Sequence, residues 1–309
     1  MIFWRFFVKY KGRRSIVITE IQAKTILNHV KQPDTYFGLK YNMNLYRGCQ
    51  HQCIYCDSRS ECYQIGNFAD IHVKVNAVDL LADALPRKRV RGTIGFGSMN
   101  DPYMPVERKY RLCRRALEVI AAHQFPVHII TKSDLVLRDL DLLMEINNVY
   151  AAVSFTITAA DDRLARQTEP GAPSSSARFA AMRALADAGI HTGVTMMPIL
   201  PFVGDTEENV ARLVELAHQS GASYILPWFG MSLRAGSRDW YFDQLDESFP
   251  GIKAKYVRQF GGRYECNSPH WQELDQIFQE LVYKYGIQTQ MPVFTPEKVR
   301  KPGKQMHMF

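Results

Sequence analysis

No stretch of this 309-residue chain approaches the roughly 18 uninterrupted apolar residues that a membrane-spanning helix needs. The apolar start MIFWRFF is broken by Arg5 and followed by Lys9, Lys11, Arg13 and Arg14, so a cytoplasmic protein with no membrane partner is expected. Low-complexity tracts and clear interdomain linkers are also missing, and no repeat is visible beyond an alternation of strand-like and helix-like segments. Cysteine is scarce. The six present, four of them between Cys49 and Cys62, do not form the spread framework of a small disulfide-bonded domain. Clustered thiols in a reducing compartment point instead to a metal. What the chain does have is 46% apolar residues, enough to bury a full core and to exclude a disordered or fibrous protein. Its formal charge of +7 and pI near 9.0 favour a polyanionic partner such as nucleic acid, which bears on association and not on chemistry.

From about Ala77 onward, amphipathic stretches alternate with short β-branched runs, the pattern of repeated βα units and a parallel sheet. Buried helical stripes are marked by Val78, Leu81 and Leu85, by Val106, Tyr110, Cys113, Leu117 and Ile120, and by Phe179, Met182 and Leu185. Asp205 is placed to cap the helix carrying Val210, Leu213 and Val214, and Gly189 and Gly221 sit where helix-terminating glycines belong. Strands are expected near Leu45 and over 93–97, 127–131, 151–157, 193–197 and 224–229. Six such strands predict an α/β fold, an open partial (βα)6 TIM-like barrel with functional residues at the strand C-terminal ends. The chain divides accordingly into an N-terminal extension (1–40), the barrel (41–230) and a C-terminal extension (231–309), whose last helix over 270–285 packs back on the barrel.

The segment YRGCQHQCIYC spaces Cys49, Cys53 and Cys56 as C-x3-C-x2-C directly after the first strand. Three thiolates on one compact loop can ligate three irons of a cubane cluster and leave the fourth open to a small molecule. Two alternatives remain at this point. Cys49, Cys53, Cys56 and Cys62 could close a tetrahedral zinc site. A plain electron-transfer ferredoxin would need further ligands that Cys62, Cys113 and Cys266 do not supply, and Cys113, on an apolar stripe, reads as a small core residue.

That loop resembles the signature of the radical S-adenosylmethionine (SAM) superfamily, in which the residue before the third cysteine is usually aromatic, as Tyr55 is here. GSMNDPYMPVE, ITKSDLVLRDLDLL and VSFTITAADDRLARQTEPGAP resemble one branch of it, spore photoproduct lyase and its relatives labelled DNA repair photolyase. The resemblance runs over about 24–227 and again, weakly, through CNSPHWQELDQIF. It implies a [4Fe–4S] cluster on Cys49, Cys53 and Cys56, with S-adenosylmethionine chelated at the open iron and cleaved by an electron to give a 5′-deoxyadenosyl radical. It also implies a flavodoxin- or ferredoxin-type reductant. For the cofactor it points to Tyr55, to Asn100 beside Asp101 on the loop after the second strand, to Lys132 at a strand end, and to Ser154, whose face Thr156 and Thr158 share. Arg178, on the first turn of the fourth helix, could reach the same region or face solvent.

The lyases return a hydrogen atom to their product from a cysteine whose matched position here is Ser98. Its O–H bond is too strong for that role, which leaves Cys62 or Tyr103 as substitutes and makes a different radical reaction, on DNA, RNA or protein, the leading expectation, with nucleic acid favoured by the basic balance. A peptide or small-metabolite substrate, or a non-enzymatic iron–sulfur protein on the same fold, are the other readings. For phosphate contacts the sequence offers the basic run RKRVR at 87–91, and for stacking Arg238, Tyr241 and Phe242.

Overall fold

The alternation of β-branched and amphipathic segments does produce repeated strand and helix. The computed structural model describes residues 5–8, 16–32 and 34–295. In chain order the strands are β1 (Arg5–Val8), β2 (Ile16–Ile21), β3 (Leu27–His29), β4 (Leu39–Met43), β5 (Tyr46–Arg47), β6 (Ile71–Lys74), β7 (Thr93–Phe96), β8 (Val127–Thr131), β9 (Ala151–Thr156), β10 (His191–Met196), β11 (Tyr224–Pro227), β12 (Gly230–Ser232) and β13 (Glu265–Asn267). The helices are α1 (Ala77–Ala84), α2 (Glu107–Tyr110), α3 (Leu112–Ala122), α4 (Leu140–Ile146), α5 (Asp162–Thr168), α6 (Ser175–Asp187), α7 (Glu207–Gln219), α8 (Ser237–Ser248), α9 (Ile252–Phe260) and α10 (Trp271–Tyr285).

Strands β4, β7, β8, β9, β10 and β11 are parallel neighbours in that order, each linked to the next through at least one helix. β3 adds antiparallel outside β4 and does not pair with β11, so the sheet is the open (βα)6 partial barrel that the sequence predicts. Alternation along each strand sorts the side chains. Ile94, Phe96, Val127, Ile129, Val153 and Phe155 point outward and are buried in one apolar core with Leu81, Leu117, Ile120, Leu143 and Met182 of the surrounding helices. The intervening residues, among them His128, Ser154 and Thr156, fill the inside.

The structure adjusts several expectations. The first barrel strand ends at Met43, before Leu45, and the next residues leave the barrel to form β5, which joins a second sheet in the order β1-β2-β6-β5. Ile16 and Ile18 of β2 pack with Ile71 and Val73 of β6 there, so β2 lies on the segment that follows the cysteine loop. Thr206, not Asp205, caps α7, its hydroxyl accepting from Asn209 N. Asp205 is turned toward the C-terminal region and accepts a 2.6 Å hydrogen bond from Ser268. Gly189 and Gly221 terminate helices at φ of 80° and 76°, as expected. After β11, α8 and α9 with β12 and β13 build a separate apolar cluster around Tyr241, Tyr256 and Phe260 that includes Cys53, Ile54 and Tyr55, while α10 packs against α7. The segment from β12 through β13 therefore backs the cysteine loop.

Candidate functional site

The cysteine loop is held from several sides before any ligand is considered. Cys49 N donates to Phe68 O, Ile54 N to Thr168 O and Gly171 N to His51 O, at 3.2, 2.9 and 2.9 Å. A Cβ on Gly171 would strike the Gln50 carbonyl oxygen, so glycine is what allows the turn after α5 to lie against the loop. Gln50 accepts from Val106 N at 2.6 Å, and the Gln52 amide donates to Cys49 O. Cys49 and Cys53 are buried and Cys56 half-buried, all three as free thiols. Burial pushes the Cys49 thiol up to about 12 and the Cys53 thiol higher still, so a bound metal is what would draw off their protons.

All three cysteines line one cavity at the C-terminal ends of the barrel strands, with Ser98, Asn100, Asp101, Lys132 and Thr156 among the opposing residues. Gly97, at φ 93°, carries the chain over β8 where a Cβ would strike the Ile130 carbonyl oxygen. Asp101 is the keystone of that wall. Its carboxylate accepts from Thr131 Oγ1 (2.7 Å), Lys132 N (2.6 Å) and Tyr103 N (2.9 Å) and stands 3.3 Å from Nδ1 of His51. Burial raises its pKa, but His51 and these donors overcome that and hold it at about 2. Lys132 is half-buried with Nζ 5.6 Å from the centre of the Tyr55 ring. Burial opposes its charge, yet Cys53 and Glu169 keep its pKa above the ordinary lysine value.

Behind Lys132 lies an acid that sequence reasoning passed over. Glu169, 1% exposed, pairs with Arg178 at 2.5 Å and accepts from the Tyr55 hydroxyl. Burial raises its pKa, but Arg178 and then Lys132 bring it below the usual value. Arg178 also donates to Thr156 O (3.0 Å) and Pro173 O (2.6 Å), so it braces the site from below and does not face solvent. Glu169 directly follows α5 in the stretch QTEPGAP and reaches the cysteine loop through its bond with Tyr55.

Several expected site residues do not reach the cavity. Ser154 does point inside the barrel, but one level too deep: its hydroxyl bonds His128 Nε2 (2.7 Å) and Tyr224 (2.6 Å). Thr156, two residues on, is the hydroxyl that lines the cavity. Tyr103 is fully buried and donates to Asp139 at 3.0 Å, away from the thiols. Cys62 is exposed on a turn and receives Arg234 Nη1 at 3.6 Å; it does not line the cavity. Cys113 is fully buried in the core, as its stripe indicated. Asn100 lines the cavity while its amide donates to Tyr46 O at 2.5 Å, and Ser98 shares hydrogen bonds with Asn42 (2.8 Å) and Asn44 (3.3 Å) at the rim. The basic run 87–91 precedes β7 and so lies at the opposite end of the barrel. Tyr241 is buried against Tyr256, and Arg238 is spent on the carbonyls of Leu233, Gly261, Gly262 and Arg263.

Comparison with known proteins matches the radical SAM superfamily model over residues 43–217, more than half of the chain. The chain belongs to the radical SAM superfamily. An uncharacterized protein of Mycobacterium tuberculosis is 31% identical over 281 residues, spanning 88% of this chain and 82% of its own. Another, from Methanocaldococcus jannaschii, is 36% identical over 62% of this chain and 71% of its own. Among solved structures, spore photoproduct lyase complexed with dinucleoside spore photoproduct superposes with a TM-score of 0.66 at 19% identity, covering 87% of this chain and 79% of that one, which shows a shared fold. As a radical SAM enzyme the protein uses a [4Fe–4S] cluster and S-adenosylmethionine, and its residues suit them. Three free thiols on one loop face a single cavity with ammonium, amide and hydroxyl groups opposite, and Cys62 is turned away from a fourth position. Among the described residues no trio of His, Cys, Asp or Glu is arranged to hold a single metal ion, and no helix is long and apolar enough to cross a membrane.

Proposed function

We propose that this radical SAM enzyme modifies or repairs nucleic acid, with Cys49, Cys53 and Cys56 holding three irons of the cluster and the barrel mouth holding the substrate. The observation that carries the reading of the site is the shared cavity of the three thiols with Lys132, Asn100 and Thr156 at the strand ends. Cys49, Cys53 and Cys56 would hold the cluster and the facing groups the S-adenosylmethionine, which together would supply reductive cleavage chemistry able to take a hydrogen atom from substrate.

The chain's own residues bind, orient and exclude water. Lys132 offers a fixed ammonium to the cofactor carboxylate, kept charged by Cys53 and Glu169 against its burial. Thr156 offers a hydroxyl, Asn100 an amide, and Tyr55 backs Lys132 with an apolar ring. The buried Glu169–Arg178 pair holds the floor of the cavity in place. An indiscriminate carbon radical requires such a pre-organised wall.

Nucleic acid as substrate is supported by the basic balance of the chain, by the open edge of the barrel, and by the spore photoproduct lyase structures, which hold a dinucleoside lesion. Residues 41–230 form the catalytic unit of this proposal, with the flanking segments 1–40 and 231–309 as supports, in a cytoplasmic protein served by a flavodoxin- or ferredoxin-type reductant. The test is anaerobic incubation of cluster-loaded, reduced protein with S-adenosylmethionine and deuterated oligonucleotides. Deuterium recovered in 5′-deoxyadenosine supports the reading, and its recovery only from peptides or metabolites would replace it.

A further inference from the structure

A second cavity, of about 170 Å³, adjoins the cofactor cavity and shares Met99 and Asn100 with it. It has room for an oxyanion and some water, given the roughly 30 Å³ share of a liquid water molecule. Arg47 of β5 and Lys74 of β6 line it. The antiparallel register sets Arg47 opposite His72, and Lys74, two residues on, extends from the same face. The partners of both cations are neutral. Arg47 Nη2 donates to Gln64 O (3.0 Å), and Lys74 Nζ donates to Asn44 O (2.6 Å). No lining residue is acidic, and among the described residues neither cation makes an ion pair. The nearby acid Asp70 is directed to Val17 N and acts on His72.

Arg47 is exposed and Lys74 half-buried on one face, and two like charges so placed raise each other's energy. Lys74 shows this, since burial first and Arg47 second push its pKa below the ordinary value. Nothing in the wall offsets that repulsion, whereas an anion between the two would. Asn44 joins this cavity to the rim of the other, because its side chain also bonds Ser98.

We propose that the Arg47–Lys74 cavity is an anion subsite that takes a phosphate of the substrate and thereby sets the adjoining nucleoside against the cofactor cavity. The anion site stands on its own geometry, and the carrier of the phosphate rests on the nucleic-acid reading above. The basic run 87–91, at the other end of the barrel, has no part in it.

The experiment is calorimetric titration of the full-length, cluster-loaded protein with thymidine dinucleotide, with its analogue bearing an uncharged linker, and with inorganic phosphate. The variants are Arg47→Gln, Lys74→Met and, as a distant control, Lys88→Gln with Arg89→Gln. Wild type should prefer the charged dinucleotide by about tenfold, the scale of one charge-assisted contact. Either cavity substitution should abolish that preference and lower the salt slope by about one, leaving the neutral analogue unaffected, while the control keeps the preference. Equal affinity of wild type for charged and neutral dinucleotides, or a preference that survives both cavity substitutions, would overturn the subsite. If neither dinucleotide binds but inorganic phosphate does, in a manner lost in Arg47→Gln, the nucleic-acid carrier is overturned and the anion subsite is upheld. Iron content equal to wild type verifies that Arg47→Gln leaves the nearby Cys49 in place; should iron be lost, Lys74→Met decides alone.

Discussion

Nδ1 of His51 stands 3.3 Å from a carboxylate oxygen of Asp101, with the two side chains 1% and 7% exposed. The contact ties the middle of the cysteine loop to the chain leaving β7, and the same carboxylate binds the end of β8 through Thr131 and Lys132. Replacing Asp101 by Ala leaves buried donors unpaired and His51 without its acid. A loss of about 3 kcal/mol is expected from such a change, and less from Asp101→Asn, which can still accept. Denaturant titration of the two variants gives the comparison; an alanine variant as stable as wild type would show that the carboxylate is not what holds the loop.

The cysteine ligands make the next prediction. Anaerobic reconstitution should give about four irons and four sulfides per chain, as a single cubane requires. Cys49→Ala, Cys53→Ala and Cys56→Ala should each lose the cluster, while Cys62→Ala should retain it because Cys62 is exposed beside Arg234. Loss of iron on replacing Cys62 would make it a fourth cluster ligand and leave no open iron for S-adenosylmethionine.

Ser154 and Thr156 can be separated in one experiment. Ser154→Ala removes a hydroxyl that joins His128 to Tyr224 deep inside the barrel. It should destabilise the fold by about 1–3 kcal/mol and leave S-adenosylmethionine affinity unchanged. Thr156→Ala should weaken cofactor affinity by several-fold with a smaller effect on stability. The reverse pattern would return Ser154 to the site.

These differences mark what the sequence can and cannot carry. The parallel strands, the outward apolar positions and the glycines ending helices follow from local patterns of two and of three to four residues. The cysteine loop was legible because its ligands are contiguous. Period-two alternation puts Ser154, Thr156 and Thr158 on one face but does not say at which height along the barrel axis the cavity opens. Glu169 and Arg178 meet only because α5 and α6 fold over the loop, a long-range relation without a local signature. Tyr103 and Cys62 were expected as hydrogen donors in place of Ser98, and packing turns both away from the cavity.

His128 gives a pH prediction. Burial lowers its pKa to about 3, so the ring stays neutral in the folded barrel while an unfolded histidine takes up a proton below about 6.5. The folded pKa is depressed, so this site binds fewer protons in the folded than in the unfolded state as pH falls. Stability is therefore full above pH 6.5 and declines between about 6.5 and 3, by on the order of a few kcal/mol. His128→Gln should flatten that part of the stability curve, measured by thermal unfolding at a series of pH values. An unchanged slope would locate the acid sensitivity elsewhere.

Ser98 decides how far the likeness to spore photoproduct lyase extends to chemistry. It lines the cavity that the three cysteines share, bonded to Asn42 and Asn44, the cavity proposed above for the cofactor. Returning a hydrogen atom from Ser98 would break a strong O–H bond to quench a weaker carbon-centred radical, which is uphill, whereas a thiol at the same place would make the step favourable. Wild-type protein given dinucleoside spore photoproduct, S-adenosylmethionine and reductant should show little clean repair to thymine. Ser98→Cys should raise the yield of repaired product, and in deuterium oxide that product should carry solvent-derived deuterium, because an S–H exchanges with water. Product yield and isotope content by mass spectrometry give both readings. Efficient repair by the unmodified chain would show that another residue delivers the hydrogen, and repair by neither would point to a substrate other than this lesion.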